Sequence, residues 1–183
     1  MLALAHMGIT LAAAVGLEKT LARRGYKISK MLDYRLVLVG SMLPDIIDKP
    51  LGGLVLRDSL GNGRIYCHTL VFLLLLLGLG LFFWYRYRWP GGLVLTGGSL
   101  VHCTLDGMWL FPGTFLWPAY GWSFPKGHPE NWLQLWFNSL IHNLLVYVPE
   151  IAGGMVLLYF AIRVITTRLG PQPSRLPRRR HFD

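Results

Sequence analysis

An all-α, polytopic integral membrane bundle of about five helical segments, one of them short or broken, is the fold this sequence predicts. Three observations carry the prediction. Thr69 to Tyr85 runs 17 residues without a charge, and Asn131 to Ile162 runs 32 residues interrupted only by Glu150. A bilayer core calls for roughly 20 apolar residues per helix. The third observation is that the basic residues are clustered: six lie in 19–35, two in 86–88 and six from Arg163 onward.

Spans read between those clusters fall at about 2–18, 35–50, 68–87, 91–110 and 132–167. The first has no basic residue ahead of its apolar stretch and carries His6 within it, so it reads as a retained helix and not a secretory leader. In the second, Pro44 and Pro50 bracket Asp45 and Asp48, which predicts a short or broken helix whose polar end faces a protein-lined or aqueous cavity. The last is too long to stand straight across a hydrocarbon core of about 30 Å, and Pro149 is its expected kink. Between the fourth and fifth spans, 111–131 is broken by Pro and Gly. Its Trp117, Tyr120, Trp122 and Phe124 suit a lid on the membrane interface, with His128 also interfacial. The organisation is a membrane-embedded domain over 1–169 and a basic, disordered cytoplasmic tail over 170–183.

The net charge of +9 is distributed as topology. Basic loops favour the cytoplasmic face, which puts the amino terminus and the 51–66 and 111–131 loops outside and the carboxyl terminus inside, in a plasma (inner) membrane. The charge meets lipid headgroups, and no nucleic-acid partner is expected. Cys67 and Cys103 form neither a CxxC motif nor a disulfide framework, and Cys103 should face away from a centre that His102 faces.

On that topology the ionisable residues gather at the outer end of the helices: His6, Asp45, Asp48, His68, His102, Asp106 and His142. Such residues in membrane segments are costly and mark functional sites. His102 and Asp106, at i and i+4, share a helical face on which two side chains can grip one cation. Imidazole with carboxylate suits zinc first, with manganese or iron as alternatives. The bland readings are an interhelical hydrogen bond for His6 or His142, a buried ion pair for His102 with Asp106, and helix capping for Asp45 and Asp48. Glu150 is read as a group behind the site or a packing carboxyl, and Gln134 and Asn138 align with His142 at four-residue steps.

The order LAHMGIT, 43-LPDIID-48, 64-RIYCHT-69 and 102-HCTLD-106, followed by an aromatic, proline-rich loop, resembles the bacterial inner-membrane metal-dependent hydrolases of the YdjM and YbcI type over roughly residues 1–125. The resemblance implies metal-associated roles for Asp45, His68, His102 and Asp106, with His6 and Asp48 close by. More distantly, the order of ligands is similar to the helical zinc-dependent phospholipase C and nuclease class, which implies His142 as a ligand to a second ion. The chain departs from those patterns at Gly63, where a His is common, and at Val146, where a carboxylate is expected. One or two ions follow, and not three.

The function expected is hydrolysis of a phosphoester in a lipid or lipid-linked substrate at the outer membrane-water interface. Asp45 or Asp48 would bridge ions or take a proton, and Arg64, one turn before His68, would grip phosphate oxygens, with ordinary loop solvation as its bland reading. An ion or proton transporter, or a non-catalytic anchor that docks a cytosolic partner on its basic segments, stands as the alternative.

Overall fold

In the computed structural model the described residues are 3–57, 59–126 and 132–169; side-chain placement is described for all of these except 132–136 and 168–169. Those residues are all-helical: α1 (Ala3–Arg23), α2 (Tyr34–Pro50), α3 (Leu70–Tyr87), α4 (Gly91–Leu105), a short α5 (Pro112–Phe115), α6 (Trp132–His142) and α7 (Leu144–Leu169). No strand occurs among them. Residues 170–183 and His128 lie outside the described residues.

Two stretches, Leu70–Tyr87 and Leu144–Thr167, are long and apolar enough to cross a membrane. The core helix of a soluble protein passes the same test but is buried, whereas Leu74, Leu75, Leu79 and Phe82 of α3 and Leu158, Tyr159 and Ile162 of α7 are exposed. A surface of that kind is stable when hydrocarbon covers it.

The helices alternate in direction. α1, α3 and α7 start at the end of the bundle where α2 and α4 finish, and that end carries the histidines and aspartates. The basic residues of 19–35 and 86–88 and Arg163 lie at the other end, where the Tyr34 hydroxyl is hydrogen-bonded to the Glu18 carboxylate. α2 packs mainly on α4, and α1 on α7. Both seams are made by glycine: a Cβ on Gly98 would strike the backbone of Gly40 and Ser41, and one on Gly8 would overlap Gly153. Backbones this close are how helices associate where lipid is as apolar as their side chains.

Pro44 does not break α2, which runs on through it and continues into a π-helical turn at Leu51–Val55. Proline removes the N–H that would bond the carbonyl four residues earlier, here Gly40. The Ser99 hydroxyl of α4 donates to that carbonyl at 3.0 Å, which meets the lost bond from across the seam. The α4 helix stops at Leu105, shorter than the predicted span, because Gly107 adopts a left-handed φ of 64°.

The expected single helix over 132–167 is two helices. Asn143 separates them, its side-chain oxygen accepting from Leu145 N at 3.0 Å as a cap, and α7 then continues through Pro149. A local asparagine cap therefore ends the helix six residues before the proline expected to bend it.

Candidate metal centre

Each donor reaches the site end from a different element, and the backbone around each explains its direction. His68 ends the loop ahead of α3. Thr69 fixes that junction, its hydroxyl donating to Tyr66 O at 2.7 Å and accepting from Phe72 N at 3.1 Å. The loop is wrapped on Asp48, whose buried carboxylate accepts from Ile65 N at 2.9 Å, from Cys67 N and from His68 Nδ1 at 2.8 Å. His102, near the end of α4, donates from Nδ1 to Ser41 O of α2 at 2.6 Å. Ser41 O is one residue beyond the carbonyl freed by Pro44, so two successive carbonyls of α2 accept from α4.

Those contacts assign the tautomers. A carbonyl or carboxylate only accepts, so both Nδ1 atoms carry a proton, and in the neutral rings both Nε2 atoms present lone pairs. The two Nε2 atoms lie 3.2 Å apart. Asp45 Oδ1 lies 3.6 Å from His68 Nε2 and 3.8 Å from His102 Nε2, while Lys49 Nζ holds the other oxygen of Asp45 at 2.6 Å. Asp106 Oδ2 is 3.9 Å from His68 Nε2 and accepts from Arg64 Nε at 2.8 Å; its Oδ1 is 3.1 Å from His6 Nε2. His6, Asp48, His68 and His102 are fully buried, and Asp45 nearly so.

Two trios, Asp45 with His68 and His102, and His6 with His102 and Asp106, each bring one donor atom per residue within 4.8 Å of the others. These groups could hold a metal ion. Tetrahedral zinc with bonds of about 2.0–2.1 Å sets its donor atoms about 3.3–3.4 Å apart, and the observed 3.2, 3.6 and 3.8 Å bracket that edge. Two Nε2 atoms at 3.2 Å are held together by a cation or a proton between them.

The structure separates the candidate residues by role. His6, Asp45, His68, His102 and Asp106 converge. Asp48 stands behind His68, its oxygens taken by three N–H groups, and belongs to neither trio. Arg64 is 40% exposed beside the centre, with its guanidinium also over the Phe111 ring. His142 is exposed at the end of α6 and joins neither trio, because Asn143 places it on a different helix from the buried α7 face. Asn138, which aligned with it, is exposed as well.

Sequence reasoning missed Ser41, whose contribution is a backbone oxygen, and Lys49, whose i,i+4 spacing to Asp45 was there to be read. It left the role of Glu150 open between two readings. That carboxylate caps α1, accepting from Leu4 N at 3.1 Å and Ala5 N at 3.3 Å, and so fixes the turn that carries His6.

Neither cysteine is a donor in the trios. Cys103 packs with Leu73 and Met108. Burial, reinforced by the adjacent Asp48 carboxylate, pushes the Cys67 thiol up to about 12. The 111–126 segment does fold over the site: Trp117 and Phe124 pack on Tyr66, two residues before His68, and Asn62 Nδ2 donates to Pro125 O at 2.9 Å. Tyr120 and Trp122 stay exposed on its outside.

An all-helical protein with two membrane-competent helices, and with buried histidines and aspartates collected at one end, defines a membrane protein with a candidate metal centre. The sequence profile of the YdjM inner membrane protein family matches residues 1–170. The chain belongs to that family and to the inner membrane. Searches of curated proteins and of solved structures return no match.

Proposed function

We propose that this protein is a polytopic, membrane-embedded metal-dependent hydrolase that cleaves a phosphoester of a lipid or lipid-linked substrate, in the manner of a phospholipase, at the outer membrane-water interface. The observation that carries the reading is the pair of Nε2 atoms of His68 and His102, 3.2 Å apart with an Asp45 oxygen beside both. Zinc suits this donor set best, with manganese or iron as alternatives. His102 has Nδ1 committed to Ser41, so the two trios share one nitrogen, which favours a single ion.

When bound, such an ion activates water for attack and polarises the phosphoryl oxygen. The chain's own residues supply the rest. Asp48 and Ser41 O hold the imidazoles in the tautomer that donates to a cation. Arg64 keeps its terminal NH2 groups for phosphoryl oxygens while Nε anchors it on Asp106. His6, its Nε2 3.1 Å from Asp106 Oδ1, is placed to take the proton from water. The aromatic segment over Tyr66 excludes water from one side of the site.

The basic residues of 19–35 and 86–88 at the far end favour a cytoplasmic position for that end, which leaves the site outside. A transporter needs ionisable groups to continue toward the cytoplasm. Below His6 the α1 face that meets α4 offers Thr10 and then Ala13, Ala14 and Leu17, which favours an enzyme.

Metal analysis of detergent-purified wild type beside His102→Ala and Asp106→Ala tests the centre. Wild type should carry close to one ion per chain and both variants far less; equal content in all three defeats the assignment. Release of phosphate or headgroup from phospholipid and polyprenyl phosphate panels tests the reaction, and a metal-loaded protein inert on every member sinks it.

A further inference from the structure

Between α1, α2 and α4 lies a cavity of about 420 Å³, within the size range of small-ligand sites. Its lining residues are apolar apart from Thr10. It is elongated: lining residues run from Thr10 to Leu17 on α1 and from Val101 back to Leu93 on α4, roughly 10–12 Å along each axis. At one end Val101 adjoins His102, and Thr10 lies one turn, roughly 6 Å of rise, below His6 on the same face. At the other end is Ile28. Leu17 and Leu100, both lining residues, are each 53% exposed, so the cavity opens sideways onto the outer surface of the bundle.

Thr10 is the second observation. Thr10 is 97% buried, and its hydroxyl has no hydrogen-bond partner among the described residues. A helical threonine ordinarily satisfies itself on the carbonyl one turn earlier, as Thr96 does on Gly92 O at 2.9 Å and Thr104 on Leu100 O at 2.8 Å. A buried hydroxyl without a partner costs stability unless a ligand provides one.

We infer that this cavity is the binding site for one alkyl chain of a membrane amphiphile, whose head reaches the histidine–aspartate centre and whose ester carbonyl accepts from Thr10. An alkyl chain matches the apolar lining and the extension along the helix axes, and enters from the bilayer through the side opening. The polar junction of such a lipid falls one turn below the donors, at the level of Thr10, the one polar residue among those that line the cavity. The inference rests on the proposed hydrolase only in treating this chain as part of the substrate; chain binding itself is read without turnover.

The test uses the full-length protein reconstituted in phosphatidylethanolamine–phosphatidylglycerol bilayers doped with lysophosphatidylglycerol bearing a mid-chain diazirine. Photoadducts are mapped by mass spectrometry. A Cβ on Gly97 meets open space at the cavity wall, so Gly97→Leu fills the cavity without a backbone clash. Leucine displaces about two methylenes of chain, each worth roughly fourfold, so labelling of α1 and α4 lining residues should fall about fifteenfold. Unchanged metal content in Gly97→Leu shows the fold and the centre intact.

A second arm compares ester-linked with ether-linked probe. Wild type should prefer the ester by about fivefold, and Thr10→Val should lose the preference. Cavity labelling no heavier than on the exposed face of α3, or undiminished by Gly97→Leu, overturns the chain site. An ester preference equal in wild type and Thr10→Val overturns the role of the hydroxyl. Failure of the metal or phosphate-release assays with specific labelling intact would instead count against the hydrolase reading alone.

Discussion

His68 and His102 meet through their Nε2 atoms at 3.2 Å although 34 residues separate them in the chain, and each is locked by its other ring nitrogen, one on a carboxylate and one on a backbone carbonyl. The orientation is thus set before any ion arrives. Rings held this way lose little freedom on coordination, so the residues behind them govern affinity.

Asp48 is the residue that most directly tests this. Asp48→Asn keeps the shape but turns an NH2 toward amides that need an acceptor, and it weakens the hold on His68 Nδ1. Metal affinity should fall about 10- to 100-fold, with a stability loss of about 2 kcal/mol. Competition against a zinc chelator and thermal unfolding in detergent measure the two. Unchanged affinity would remove Asp48 from its positioning role.

His142 should behave oppositely. It is exposed on α6, away from both trios. His142→Ala should retain the metal content of wild type while His68→Ala loses most of it, both read by elemental analysis of the purified proteins. Depletion in His142→Ala to the level of His68→Ala would restore it as a ligand.

What could be read from the sequence and what could not divide along the same line. Long charge-free runs and the His102–Asp106 spacing are local patterns, and they located the helices and the end of the bundle that bears the donors. The capping of α7 by Asn143 is equally local, but a polar residue inside a 32-residue apolar run reads as tolerated and not as a stop. The division of labour between Asp45 and Asp48 was not readable. Three residues apart on one helix, they face different partners because the 64–69 loop folds over one of them, a tertiary event without a sequence period. Backbone contributors such as Ser41 O leave no residue-type signal at all.

The glycine seam between α2 and α4 makes a stability prediction. Gly98→Ala drives a methyl into the backbone of Gly40 and Ser41, which carries the carbonyl that orients His102. It should cost about 1–3 kcal/mol and lower metal affinity as well. Gly16→Ala, with nothing near its Cβ, should be neutral or stabilising by up to about 1 kcal/mol. Thermal unfolding of both variants in one detergent compares them, and equal effects would show that the seam is looser than described.

Glu150 separates a structural carboxylate from a catalytic one. It is 6% exposed and accepts from the first amides of α1, where a negative charge also meets the positive end of the helix dipole. Glutamine keeps one acceptor oxygen and gives up the charge. Glu150→Gln should therefore loosen the α1 terminus by about 1 kcal/mol, seen as faster hydrogen exchange at the Leu4 and Ala5 amides. Metal content should stay at the wild-type level, because the carboxylate reaches the centre only through the turn that carries His6. A loss of metal as large as that of Asp106→Ala, with exchange at those amides unchanged, would make Glu150 a ligand and remove its role as a cap.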